Sequence, residues 1–253
     1  MPAVSQATPN NSDLLVAGVL ARMPAEQLRT LVEGEPERLA PWLRAAAECG
    51  LVEAQLCLGR MLLEGRGMPR NEGRAFQWFS RAARSDSVEA WNMLGRCHDQ
   101  GWGVGRDPSE AATWFAKAAE AGDAWAQYNL GHLHLDGDGV ERDPGLASTW
   151  YRRAADQGHV RAMNLVGRCL EEGWGAPADP AGAEEWYRRS AEGGYFRGQF
   201  NYASCLAADG KIAEAETWFR RALDGAPVQS RQAMCEVLRR STVPALRALA
   251  EIH

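Results

Sequence analysis

Apolar residues recur along most of this chain at helical spacing, and the pattern itself repeats. Ala111, Trp114, Phe115, Ala118 and Ala119 follow the i, i+3, i+4, i+7, i+8 rule of an amphipathic helix. The block returns in AFQWFSRAARSD, ASTWYRRAADQGH and AEEWYRRSAEGGY, so that Trp42, Trp78, Trp114, Trp150 and Trp186 stand 36 residues apart. Between the tryptophans run VEAQLCLGRMLLEGRGMPRN, VEAWNMLGRCHDQGWGVGRD, AWAQYNLGHLHLDGDGVERD and VRAMNLVGRCLEEGWGAPAD, with Gly59, Gly95, Gly131 and Gly167 at the same step. A period of this size marks units that cannot bury their apolar faces alone and must stack. The predicted unit is helix A, loop, helix B, turn, and the predicted fold is an all-α, α/α solenoid.

The polar punctuation agrees. Asp107-Pro108, Asp143-Pro144 and Asp179-Pro180 place a side-chain acceptor at the N-cap and a proline at the first helical position, where a missing N–H costs nothing. Gly122, Gly158 and Gly194 close helix B, where glycine most easily takes a left-handed cap. The Gly-x-Gly pairs at 65/67, 101/103, 137/139 and 173/175 follow a helix in every unit, whereas a phosphate-cradling loop follows a strand. They are predicted to be turns. The mid-helix glycines, which cost about 1 kcal/mol against alanine, imply close helix approach, with Ala82-Ala83, Ala118-Ala119 and Ala154-Ala155 as the facing small surface.

Leu94-Gly95, Gly101, Gly103-Val104, Ala111, Trp114-Phe115, Ala118-Ala119 and Gly122 together resemble the Sel1-like repeat family, a relative of the tetratricopeptide repeats. The resemblance implies a right-handed superhelix of helix-turn-helix repeats and a protein-interaction scaffold or adaptor that is not an enzyme. Four full repeats are expected over residues 51–194. Residues 40–50 read as a helix B without its usual helix A, within an N-terminal capping region 12–50 whose first helix is expected over 12–33; residues 1–11 are expected to be flexible. Ala203 takes the glycine position in a degenerate, tetratricopeptide-like unit over 195–225, and capping helices are expected over 226–253, because terminal units of a solenoid lack one neighbour.

Composition narrows the function. Length and a hydrophobic content of 45% suit one extended core. A net charge of -5 argues against a nucleic-acid binder. Lys117 and Lys211 are the only lysines among 28 basic residues, a bias that points to a GC-rich bacterial coding sequence. LLVAGVL, behind Asp13 with no Lys or Arg upstream, lacks the charged region of a signal peptide and the length of a membrane span. A cytoplasmic protein with no membrane partner is expected.

The repeat also absorbs most candidate chemistry. Cys97, Cys169 and Cys205 share one core slot and are read as small hydrophobes. Cys49 and Cys57 are displaced by two residues from the bridge positions of secreted, cysteine-rich relatives, which weakens the alternative of a hydrolase or β-lactam-binding protein. His98 and His134 occupy a position that is leucine in other units, so packing is favoured over a metal site and over an accessory subunit of a metalloenzyme. DGDG at 136–139 lacks the glutamate a calcium loop needs, since Ala147 stands there. Glu110, Glu184 and Glu185 form no catalytic constellation, and no cofactor or metal is implied.

If the units stack as in tetratricopeptide arrays, helix A lines a concave groove and exposes positions six and three before the glycine and one and four after it. The expected partner-binding residues are Arg60, Asn92, Arg96, Trp125, Tyr128, His132, Asn164, Arg168 and Phe200. An Asn amide can bind an extended peptide backbone and an Arg fork a carboxylate, so the expected ligand is a protein or peptide, an acidic segment or chain terminus. The alternative is that the arginines pair with Glu53, Glu89, Asp99 and Glu171 on the chain's own surface. Trp102 and Trp174, in equivalent loops, either cover helix ends or mark a second contact edge.

Overall fold

The computed structural model describes Leu15 and residues 18–252. The expected flexible segment 1–11 lies outside the described residues, as does most of the first part of the expected helix over 12–33. After a helical stretch at 18–21, the elements are α1 (Ala25–Gly34), α2 (Pro36–Glu48), α3 (Val52–Glu64), α4 (Glu72–Ala83), α5 (Val88–Gln100), α6 (Pro108–Glu120), α7 (Ala124–Asp136), α8 (Pro144–Asp156), α9 (Val160–Glu172), α10 (Pro180–Glu192), α11 (Phe196–Ala208), α12 (Ile212–Gly225), α13 (Val228–Arg239) and α14 (Pro244–Ile252). No strand occurs among the described residues. Consecutive helices pack as pairs, α3 with α4, α5 with α6, α9 with α10 and α11 with α12, and the fold is an α-solenoid.

The caps explain where the helices begin and end. Asp107, Asp143 and Asp179 accept the backbone N–H of Glu110, Leu146 and Gly182, and Asn71 does the same for Arg74 at the start of α4. Gly65, Gly101 and Gly173 end helix A in the left-handed conformation. The second glycine of each loop has a further duty. A Cβ on Gly103, at φ +71°, would overlap the backbone of Glu72 at the start of α4, and one on Gly139 would overlap Pro108 at the start of α6. Each loop thus seats on the N-terminus of the preceding helix B.

The chain forms two compact units. The first runs to Ala126 and takes in Asp138–Val140; the second comprises Gln127–Gly137 and the chain from Glu141 onward. The same packing rule operates in both. A Cβ on Gly95 would meet the Phe115 ring, and one on Gly167 the Tyr187 ring at 2.6 Å. The surface facing each ladder glycine is therefore the aromatic residue after the tryptophan, where the alanine pairs were expected. Phe79, Phe115, Tyr151 and Tyr187 are completely or almost completely buried, each contributing about 1.5–3 kcal/mol of apolar burial.

Three of the ladder tryptophans lie at the edge of the core under arginine. Arg81 covers Trp78 at 4.6 Å, Arg153 covers Trp150 at 4.6 Å and Arg189 covers Trp186 at 4.0 Å, a stacking geometry that suits guanidinium better than ammonium. Trp42, first in the ladder, is 51% exposed. It belongs to α2, which is preceded by α1, and α1 packs against both α2 and α3. In the second unit Tyr187, Leu206, Phe219, Leu223 and Leu249 share one core, so the C-terminal helices close it.

Three residues at the position four before the glycine satisfy an orphan carbonyl at the end of the preceding helix B. Gln55 donates to Ala47 O at 3.0 Å, Trp91 to Ala83 O at 3.3 Å and Gln199 to Ala191 O at 3.4 Å. The six cysteines are free thiols, and burial pushes Cys97 up to about 12 and Cys205 up to about 11. No helix among the described residues is long and apolar enough to cross a membrane.

Candidate protein-binding surface

In the first unit the helix A face is closed by its own charges. Arg29, from α1, reaches Glu53 at 3.3 Å and Glu89 at 2.6 Å, and Glu89 also accepts a hydrogen bond from Arg60. Arg60 is thus held within the protein by Glu89. Arg96 differs. It is exposed, its guanidinium lies 5.0 Å from the Trp102 ring and donates to Met93 Sδ at 3.6 Å. Among the described residues it has no ion pair, and desolvation lowers its pKa from the usual arginine value. Trp125 is 48% exposed at the start of α7.

The second unit carries an aromatic and basic helix A face. Tyr128 and His132, one turn apart on α7, meet edge to face at 4.6 Å. The His159 ring lies 4.9 Å from that of Tyr128, tilted by 36°, and the buried Tyr151 lies 5.4 Å from His132. His159 is the N-cap of α9, its Nδ1 accepting the Ala162 N–H at 3.1 Å. Burial and then the Arg161 charge push its pKa down to about 4. Burial raises the Tyr128 pKa, while Arg161 and Arg197 pull it back. Arg168, the counterpart of Arg96, lies 5.4 Å from the Trp174 ring, and among the described residues it too has no ion pair. Phe200 packs edge to face on Phe219 at 5.0 Å and is half-buried.

Trp102 and Trp174 therefore act as platforms for arginines six residues earlier. The sequence carried that signal: Arg and Trp occur together in units two and four, while unit one has Arg60 with Arg66 and unit three has His132 with Asp138.

One expectation is corrected. Positions three before the glycine are mostly inside, with Asn92 7% and Asn164 4% exposed and Leu56 fully buried. This side of helix A faces neighbouring helices, as the hydrogen bond from Asn201 Nδ2 to Asn164 Oδ1 at 2.8 Å shows. Asn92 and Asn164 are structural and do not form an open amide row beside Arg96 and Arg168. His98 and His134 have different surroundings. His98 meets Phe76 edge to face at 5.6 Å, and His134 Nδ1 lies 3.4 Å from Glu141 O. No group of three or more metal-ligating side chains occurs among the described residues.

Comparison with known proteins supports the repeat assignment. Sel1 repeats match residues 52–87, 88–123, 126–159 and 160–195, and a tetratricopeptide repeat matches 178–230. A Sel1 repeat protein from Oxalobacter formigenes superposes with a TM-score of 0.73 at 24% identity, over 89% of this chain and 97% of that one. The protective antigen c5321 of uropathogenic Escherichia coli, which displays an SLR fold, gives 0.70 at 27% identity over 90% of this chain, which spans 55% of that protein. The immunity protein PA5088 from Pseudomonas aeruginosa shares the fold more distantly, with a TM-score of 0.53 at 15% identity, over 78% of this chain and 74% of that one. No curated protein matches the chain. With four matched units built on the same tryptophan, glycine and alanine positions, the chain belongs to the Sel1 repeat family.

Proposed function

We propose that this protein is a non-catalytic interaction scaffold that docks a partner protein or peptide with an acidic segment on its helix A side chains. The observation that carries this reading is the state of Arg96 and Arg168. Each is exposed, stacked on a loop tryptophan and without an ion pair among the described residues. Arg60 supplies the contrast, because Glu89 already occupies it. A guanidinium held by an aromatic face loses little further freedom when a carboxylate arrives, so its hydrogen bonds to a partner come at low entropic cost. In the second unit Tyr128, His132 and Phe200 add half-buried aromatic surface, the residue class that anchors interfaces.

The test is a pull-down with the parent and an Arg96→Glu, Arg168→Glu double variant, after circular dichroism has established that both are folded. The variant is expected to lose the partners whose sequences carry acidic segments. Equal recovery of the same partners by the folded variant would show the helix A reading to be wrong.

A further inference from the structure

The residues six before the glycine position run Glu53, Glu89, Trp125, Arg161, Arg197, so the sign inverts along the series. The first unit shows how two adjacent members are filled. Glu53 and Glu89, one repeat apart, are bridged by the single guanidinium of Arg29, which comes from α1. Side chains at this position in successive repeats therefore converge closely enough for one charged group to bind both.

In the second unit the same two positions, again one repeat apart, are Arg161 and Arg197. Both are exposed. Arg161 lies 5.8 Å from the Tyr195 ring and Arg197 lies 5.7 Å from the Phe196 ring. Among the described residues Arg197 makes no ion pair, and both charges act on the Tyr128 hydroxyl, to which Arg161 is hydrogen-bonded. Two guanidiniums and two phenols meet here, with the His159 ring against Tyr128.

We propose that Arg161 and Arg197 form an anion subsite that takes one Asp or Glu carboxylate of the partner between them, the charge-inverted counterpart of the Arg29 bridge, with Tyr128 and Tyr195 against the flanking apolar part of the segment. A carboxylate suits this place because its two oxygens can each accept from a different guanidinium fork. The assignment rests on the acidic-partner reading given above, but moves the anchor to residues on which that reading does not depend.

The probe is a fluorescein-labelled hexapeptide of alternating Asp and Glu, amidated so that only side-chain carboxylates remain, with a Lys/Arg hexapeptide as its inverse. Fluorescence anisotropy should show the parent binding the acidic peptide. The Arg161→Glu, Arg197→Glu variant, folded by circular dichroism, should bind it at least about tenfold more weakly, a difference well outside single rim contacts. That variant should gain the basic peptide, as the Glu53 and Glu89 pair gained Arg29. Acidic-peptide affinity within about twofold of the parent overturns the subsite. If an Arg168→Glu variant then loses the peptide, the acidic-partner reading stands and only the anchor falls. If the parent binds no acidic peptide, both fall.

Discussion

The two units use one scaffold and differ in what they do with its helix A face. In the first, carboxylates at the position six before the glycine are neutralised by Arg29 and Arg60 and hold α1 against the repeats, which leaves Arg96 as the exposed arginine of that face without an ion pair among the described residues. In the second, the equivalent carboxylates are arginines and the surrounding positions are Tyr128, His132, His159 and Tyr195. The lesson is that an exposed charge in a repeat is a docking candidate only after the chain's own terminal elements have taken their share. Counting arginines along helix A treats Arg60 and Arg168 alike, while the structure separates them.

The largest expected effect tests whether the scaffold really is common to both units. Gly95→Leu and Gly167→Leu each drive a side chain into a buried ring, Phe115 or Tyr187, and each should cost about 3 kcal/mol. Urea denaturation should show similar losses. A marked difference would mean that the units diverge in packing as well as in surface. The next effect concerns the faces themselves. Glu89→Gln removes the carboxylate shared by Arg29 and Arg60 and should cost about 1–2 kcal/mol, whereas Arg197→Gln should stay within about 0.5 kcal/mol. Equal costs would erase the contrast between a structural and an available charge.

A smaller comparison lies within the second unit. Tyr187 donates to Glu171 Oε2 at 2.6 Å, while Tyr151, its counterpart, has a buried hydroxyl with no hydrogen-bond partner among the described residues. The reason is in the sequence, which has Leu135 where the later unit has Glu171. Tyr187→Phe should cost about 1.5 kcal/mol and Tyr151→Phe nothing, or should stabilise. The smallest effect is on pH. His159 is held neutral in the folded state, its pKa pushed down to about 4, below the unfolded value of about 6.5. Its contribution is present above that unfolded value and is lost as pH falls toward 4, because the unfolded chain then binds the extra proton. The ring is partly exposed, so the loss should be on the order of 1 kcal/mol. His159→Asn keeps an N-cap acceptor and should flatten this acid-side slope in thermal melts.

The scaffold was legible because each of its requirements recurs. An Asp or Asn start to helix B, a left-handed glycine end and the mid-helix glycine all appear once per period, so each repeat testifies for the others. The ring seated on that glycine was less legible, since both alanines and the aromatic stand on the apolar side of helix B and a linear pattern does not rank them. The surface was legible only in part. Arg96, Arg168 and Trp125 are exposed as expected, but Asn92 and Asn164 turn inward, because the rotation of helix A about its own axis is fixed by packing against neighbouring repeats. Arg29 was invisible to a repeat argument, coming from a helix with no counterpart at the same period.

Docking on helix A side chains can be followed in the second unit by site-specific crosslinking. Ser204 on α11 and Thr217 on α12 are both exposed and both bond their hydroxyl to the carbonyl four residues earlier, at 3.0 and 3.1 Å. A photoreactive phenylalanine analogue placed at one or the other therefore differs mainly in which helix carries it. With the labelled acidic hexapeptide bound, an adduct is expected from position 204 and none from position 217. An adduct from 217 alone, or equal yields from both, would contradict it.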